Sequence, residues 1–179
     1  FGGFNFIEFF SENKVIVNPL RIKRNILQEL QFRLLLYYTG QSRFSSDVIS
    51  DQMKNINKDG GKALEAMHLV KKQAGMMKDV ILSESIDEIG PLLDFGWQNK
   101  KLTAKKVSND AIDNIYEIAK SSGVTGGKVS GAGGGGFMTL YCPGNTRYRV
   151  INNLHKYGGE FRRFQFVDKG LETWQIKKN

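Results

Sequence analysis

Residues 126–136 concentrate seven of the chain's 20 glycines in eleven positions, ending in four in a row from Gly133 to Gly136. Glycine loses more conformational freedom on folding than any other residue, so such a run weakens an ordinary helix or strand. It makes sense where the backbone must take positive φ angles, or where a ligand must come closer than a Cβ allows. Successive backbone N–H groups in such a turn form an anion-binding concavity. A flexible linker would sit among polar residues. Here Lys128 and Val129 precede the run, and the β-favouring segment Phe137–Cys142 follows it.

The common nucleotide loops do not fit. Gly131–Gly136 satisfies G-x-G-x-x-G only because any glycine run does, and the segment after it reads as a strand ending at Pro143 and Gly144. A dinucleotide loop needs a helix there. A Walker A loop needs Gly-Lys-Ser/Thr at its end, where this chain has Phe137 and Met138. The reading left is a glycine loop joining two strands. Ser130 stands at its mouth as a hydroxyl donor, and Ala132 is the one side chain inside it.

Other candidates lie elsewhere. Thr39, Gly40 and Arg43 follow an apolar run, and loops at the ends of buried strands often carry function. Arg43 has the planar fork that suits phosphate. Lys100 and Lys101 follow Trp97 on an expected helix; one is expected to face a phosphate, and Trp97 to be a packing residue. His68 and His155 have no Cys or Asp clustered near them, so no metal site is expected. Asp94, Asp110 and Asp113 read as surface or cap residues, which leaves no compelling general base.

Composition narrows the class. The chain has 179 residues, 40% hydrophobic and 25% charged, as a soluble globular domain does. No apolar run approaches the ~20 residues of a membrane span. A single cysteine, Cys142, suits a reducing cytoplasm. The net charge of +8 favours anionic partners, but the basic residues are scattered and no basic-aromatic stripe marks an RNA-binding sheet.

The elements that must hold these residues follow from spacing. Phe4–Val17 predicts a hairpin turning at residues 11–14, and residues 23–31 a short helix. Leu34–Tyr38 predicts a central strand buried on both faces. Helical spacing continues through Val48–Ile56, Leu64–Ile81 and Leu92–Lys101. Ser108 or Asn109 is an expected cap for a helix burying Ile112, Ile115, Tyr116 and Ala119 and ending at Gly123. A helix over about 146–157 and strands near 160–167 and 171–176 complete an α+β arrangement.

The segment Lys128–Phe137 resembles the third signature motif of the GHMP kinases (galacto-, homoserine, mevalonate and phosphomevalonate kinases), and the quadruple glycine before an aromatic is closest to their sugar branch. Phe1–Phe9, Leu35–Arg43, Gly96 with Trp97 and Lys100 with Lys101, and Ser108 with Asn109 resemble the heptose 7-phosphate kinases of that family. The resemblance implies a ferredoxin-like C-terminal domain over 25–179, preceded at 1–24 by a β-hairpin remnant of an N-terminal domain. It implies ATP and a sugar phosphate as small-molecule ligands, Mg²⁺ with the ATP, a cytoplasmic enzyme without nucleic-acid or membrane partners, and room for a homodimer. Ser130, Gly131, Ala132, Gly133, Gly134, Gly135, Thr39, Arg43 and Lys101 are its expected substrate- and phosphate-binding residues. The family's earlier glycine- and serine-rich phosphate loop is absent from these residues, so the catalytic groups are expected upstream of Phe1. A non-catalytic ferredoxin-like domain binding a small anion, or a basic nucleic-acid-binding module, are the alternatives.

Overall fold

The computed structural model describes residues 1–41, 45–59 and 61–176. Strands β1 (Asn5–Phe9) and β2 (Val15–Pro19) form the N-terminal hairpin, with Asn5 opposite Pro19 and Phe9 opposite Val15. Its turn uses Glu12 and Asn13 at φ of +62° and +59°. Asparagine tolerates this left-handed region better than most residues.

After helix α1 (Arg24–Arg33) the apolar run forms β3 (Leu34–Tyr38). Four helices follow: α2 (Ser45–Asp59), α3 (Lys62–Leu82), α4 (Ile89–Thr103) and α5 (Asp110–Ser121). Strands β4 (Gly126–Val129) and β5 (Phe137–Tyr141), helix α6 (Thr146–Leu154) and strand β6 (Glu160–Arg162) complete the order. The second sheet is antiparallel with strand order β4-β5-β3-β6. From β3 onward this is the β-α-β-β-α-β ferredoxin-like path, with four helices in its first crossover.

Leu35 and Tyr37 of β3 enter the main core with Val48, Trp97, Val107, Ile112, Tyr116 and Leu140. Leu34, Leu36 and Tyr38 are only half-buried. The expectation of a strand buried on both faces is therefore corrected: an antiparallel sheet needs cover on only one face. Leu34 packs instead into a second cluster around Leu30, Ile89 and Tyr141.

Helix α4 starts earlier than its hydrophobic pattern suggests, because Pro91 in a first turn lacks only an N–H that would be unpaired anyway. Asn109 caps α5, its side chain accepting from the Ile112 N–H at 3.0 Å. Gly123 ends that helix at φ +105°. Ile112, Ile115, Tyr116 and Ala119 are its buried face, as their spacing predicts. Residues 171–176 do not form the expected strand; Leu171, Trp174 and Ile176 stand exposed, with no partner strand among the described residues. β6 is likewise only three residues long.

Two of the seven clustered glycines serve packing. A Cβ at Gly126 would lie 1.8 Å from the Gly90 carbonyl oxygen, and one at Gly127 would lie 2.5 Å from that of Thr139. Glycine at 126 lets α4 cross β4 at backbone distance, and glycine at 127 leaves room for the β5 backbone. Tyr116 locks the crossing: its hydroxyl donates to Asp94 Oδ1 at 2.5 Å and accepts the Gly127 N–H at 3.2 Å. Burial alone would raise the Asp94 carboxyl, but hydrogen bonds from Tyr116 and Gln98 and the Lys120 charge outweigh it and hold Asp94 below its ordinary range.

Candidate functional site: a glycine loop between two strands

The loop from Ser130 to Gly136 joins β4 to β5, whose register pairs Val129 with Met138. Gly131, Gly133, Gly134, Gly135 and Gly136 have φ of +75°, +116°, +77°, +145° and +89°. L-residues rarely adopt these angles, so the sequence can make this turn only with glycine.

Three other elements hold the loop. The Gly134 N–H donates to the Val107 carbonyl at 2.7 Å, on the 3₁₀ turn Lys105–Val107 just before α5. The Gly136 N–H donates to the Gln41 carbonyl at 2.6 Å, and its own carbonyl accepts the Thr39 N–H at 2.9 Å and the Thr39 hydroxyl at 3.0 Å. The Lys100 ammonium, from α4, donates to the Gly131 carbonyl. Asn109 adds a side-chain bond to Gln41 Oε1 at 3.3 Å. The loop is thus fastened at its base, its middle and its far end.

The amides this leaves define what the loop can do. Among the described residues, no acceptor meets the N–H groups of Gly131, Ala132, Gly133 and Gly135. Ser130 is exposed beside them, its hydroxyl 3.3 Å from that of Thr139. Burial, and then the neighbouring Lys128 charge, push the Lys100 ammonium down to about 8. Neither Lys100 nor Lys128 forms an ion pair among the described residues. Gly135 is buried, so the amides that reach the surface are those of Gly131, Ala132 and Gly133, and together with two cations they suit a phosphate.

The sequence-predicted residues divide accordingly. Ser130, Gly131, Ala132, Gly133 and Gly135 gather at the loop, and Gly134 is there with its amide turned into Val107. Thr39 is buried and clamps Gly136. Lys101 is paired with Asp113 at 3.2 Å, which also accepts from the Ser108 hydroxyl at 3.0 Å. Of the two adjacent lysines it is Lys100 that reaches the loop. Arg43 lies outside the described residues. Sequence reasoning did not single out Lys128, although it opens the glycine motif, nor Gln41 and Val107, which act through backbone carbonyls and carry no sequence signal. Among the described residues no group of three His, Cys, Asp or Glu side chains is placed to hold a metal, and no described helix is long and apolar enough to cross a membrane.

The chain is similar to known kinases. Residues 76–160 match the family described as GHMP kinases C terminal. The chain is 39% identical over 176 residues to the D-glycero-alpha-D-manno-heptose 7-phosphate kinase of Campylobacter jejuni, covering 98% of this chain and 51% of that protein. The crystal structure of a D-glycero-D-manno-heptose 1-phosphate kinase from Bacteroides thetaiotaomicron is 31% identical, with a TM-score of 0.71 over 99% of this chain and 47% of that one. At 16% identity, the mevalonate kinase of L. major shares the fold, with a TM-score of 0.71 over 87% of this chain and 45% of its own. The chain spans about half the length of the Campylobacter relative.

Proposed function

We propose, for a chain that carries the GHMP kinase C-terminal domain, that it is part of an ATP-dependent sugar phosphate kinase and supplies that enzyme's glycine-rich phosphate loop. The domain would run over 25–179, with the hairpin at 1–24 belonging to a preceding domain. The observation that carries the reading is the set of amides at Gly131, Ala132 and Gly133 that meet no acceptor among the described residues, beside Lys100 and Lys128.

Phosphoryl transfer depends chiefly on positioning and on stabilising charge on the moving phosphoryl oxygens. Donors fixed before the reaction do this without reorganising during it. A loop clamped by Thr39, Gln41 and Val107 has that property. Lys100 adds a charge whose stem is anchored on α4, and Ser130 a hydroxyl for a sugar or phosphate oxygen. ATP fits this donor set through its phosphates. The described residues offer no carboxylate cluster for Mg²⁺, so its ligands and the base that deprotonates the acceptor are assigned to other parts of the protein. The same reading makes the enzyme cytoplasmic.

The test joins residues 1–179 to the part of the Campylobacter relative outside the matched region. ADP release is then followed with ATP, Mg²⁺ and a heptose 7-phosphate. Turnover of ~1–100 s⁻¹, usual for kinases, is expected, and its loss on Gly134→Val. Residues 1–179 alone are expected to show none. A hybrid that folds and binds ATP yet gives equal turnover with Gly134→Val would refute the role of the loop.

A further inference from the structure

A second cationic concavity lies at the other end of the sheet. A groove of about 780 Å³ opens between α1, α6 and the segment 162–167. That size is ordinary for a small-molecule site. Arg147, Arg162 and Arg163 line it together with Gln28, Gln165 and Phe32, and no acidic side chain among the described residues does. Arg162 is paired with Glu160. Arg147 and Arg163 form no ion pair among the described residues.

Arg147 is held in place. One guanidinium nitrogen donates to the carbonyls of Phe32 at 2.6 Å and Leu34 at 2.7 Å, and the group lies 5.8 Å from the centre of the Phe32 ring. These partners orient the fork without neutralising it, and a fixed, uncompensated guanidinium recognises phosphate well. Arg147 of the groove meets β3 at the Leu34 carbonyl, whereas the glycine loop meets the chain at Thr39. Five residues of strand at ~3.3 Å each put the two about 16 Å apart along β3.

We propose that this groove is a separate site for a sugar phosphate, with Arg147 and Arg163 on the phosphate and the amides of Gln28 and Gln165 on the hydroxyls. Glutamine offers both donor and acceptor to a hydroxyl, and the exposed Phe32 ring presents an apolar face to the sugar's C–H groups. The site does not depend on the reading of the glycine loop. A ligand there would contact α1, α6 and the edge strand β6 at once, so its binding would be felt along β3 towards Thr39.

Calorimetric titration of the full chain with glucose 6-phosphate tests this, using Arg163→Ala, Arg163→Lys and Lys100→Met. Arg163 is exposed, so its replacement is expected to leave the melting curve unchanged. The wild type is expected to show two binding events. Arg163→Ala should weaken one at least tenfold and leave the other, Arg163→Lys should weaken it less, and Lys100→Met should do the reverse. A single event abolished by Arg163→Ala and untouched by Lys100→Met would support this site while refuting the loop. Binding that Arg163→Ala leaves intact overturns the proposal. So does inorganic phosphate binding as tightly as glucose 6-phosphate, or Arg163-dependent binding seen only with phosphatidylserine vesicles.

Discussion

Replacing Gly133 by alanine tests whether the loop's shape rests on its tertiary anchors. Gly133 has φ +116°, and an added Cβ would stand 2.6 Å from the Val107 carbonyl oxygen. That oxygen also accepts the Gly134 N–H at 2.7 Å. The methyl group therefore meets two penalties at once. A non-glycine residue in so sparse a region costs about 1–3 kcal/mol. Moving Val107 away loosens its hydrogen bond, worth roughly 0.5–1.5 kcal/mol. Alanine restrains the unfolded chain and returns about 0.4–1 kcal/mol. A net loss near 2.5 kcal/mol lowers Tm by about 5–10 °C in a chain of this size. Gly131→Ala is the control, since Gly131 has φ +75° and no atom within 4 Å of its would-be Cβ. Only the left-handed penalty of about 1–2 kcal/mol then applies, less the same unfolded-state gain. Differential scanning calorimetry of both variants, with hydrogen exchange at the Gly134 amide, reads the result. If Gly133→Ala melts with Gly131→Ala and the Gly134 amide is unprotected already in the wild type, Val107 does not anchor the loop.

Lys100 sets a pH dependence with two signs. Its ammonium is held near 8 against an ordinary 10.5, so phosphate affinity at the loop should fall as pH rises through about 8, and phosphorus NMR titration should find no such fall in Lys100→Met. The unfolded chain keeps its proton up to the ordinary value, so this group's contribution to stability should rise with pH between the two, which thermal melts at pH 8 and 10 can compare with the same variant. Asn109→Ala removes the cap of α5 and should cost about 0.5–2 kcal/mol in urea unfolding. Tyr116→Phe strips the hydroxyl from Asp94 and from the Gly127 amide and should cost roughly 1.5–3 kcal/mol, the range for bonds to a charged group. With Asp94 held below its ordinary range by those bonds, wild-type stability should fall as pH drops through its folded value, and less so in Tyr116→Phe.

Most of the architecture was legible before any coordinates, because periodicity and punctuation are local. The buried face of α5, the cap at Asn109, the hairpin at the N-terminus and the strand–loop–strand around 131–136 all follow from residue type and spacing. Trp97 was rightly placed in the core. What spacing could not decide was which neighbour each residue would meet. The tail at 171–176 alternates like a strand, yet alternation forms a strand only where another edge offers its hydrogen bonds. Gly126 and Gly127 look like part of the glycine loop, and only the packing shows that the missing side chain of Gly126 makes room for α4 and that of Gly127 for the β5 backbone at Thr139. Lys100 and Lys101 are adjacent and chemically identical. A helix turns about 100° between neighbours, so one ammonium falls on Gly131 and the other on Asp113, and that rotation is set by how α4 packs. The loop's need for glycine was written in the chain. Which of its amides are tied down was decided by Val107 and Gln41, because a backbone carbonyl is the same in every residue and gains its partner only when distant segments fold together.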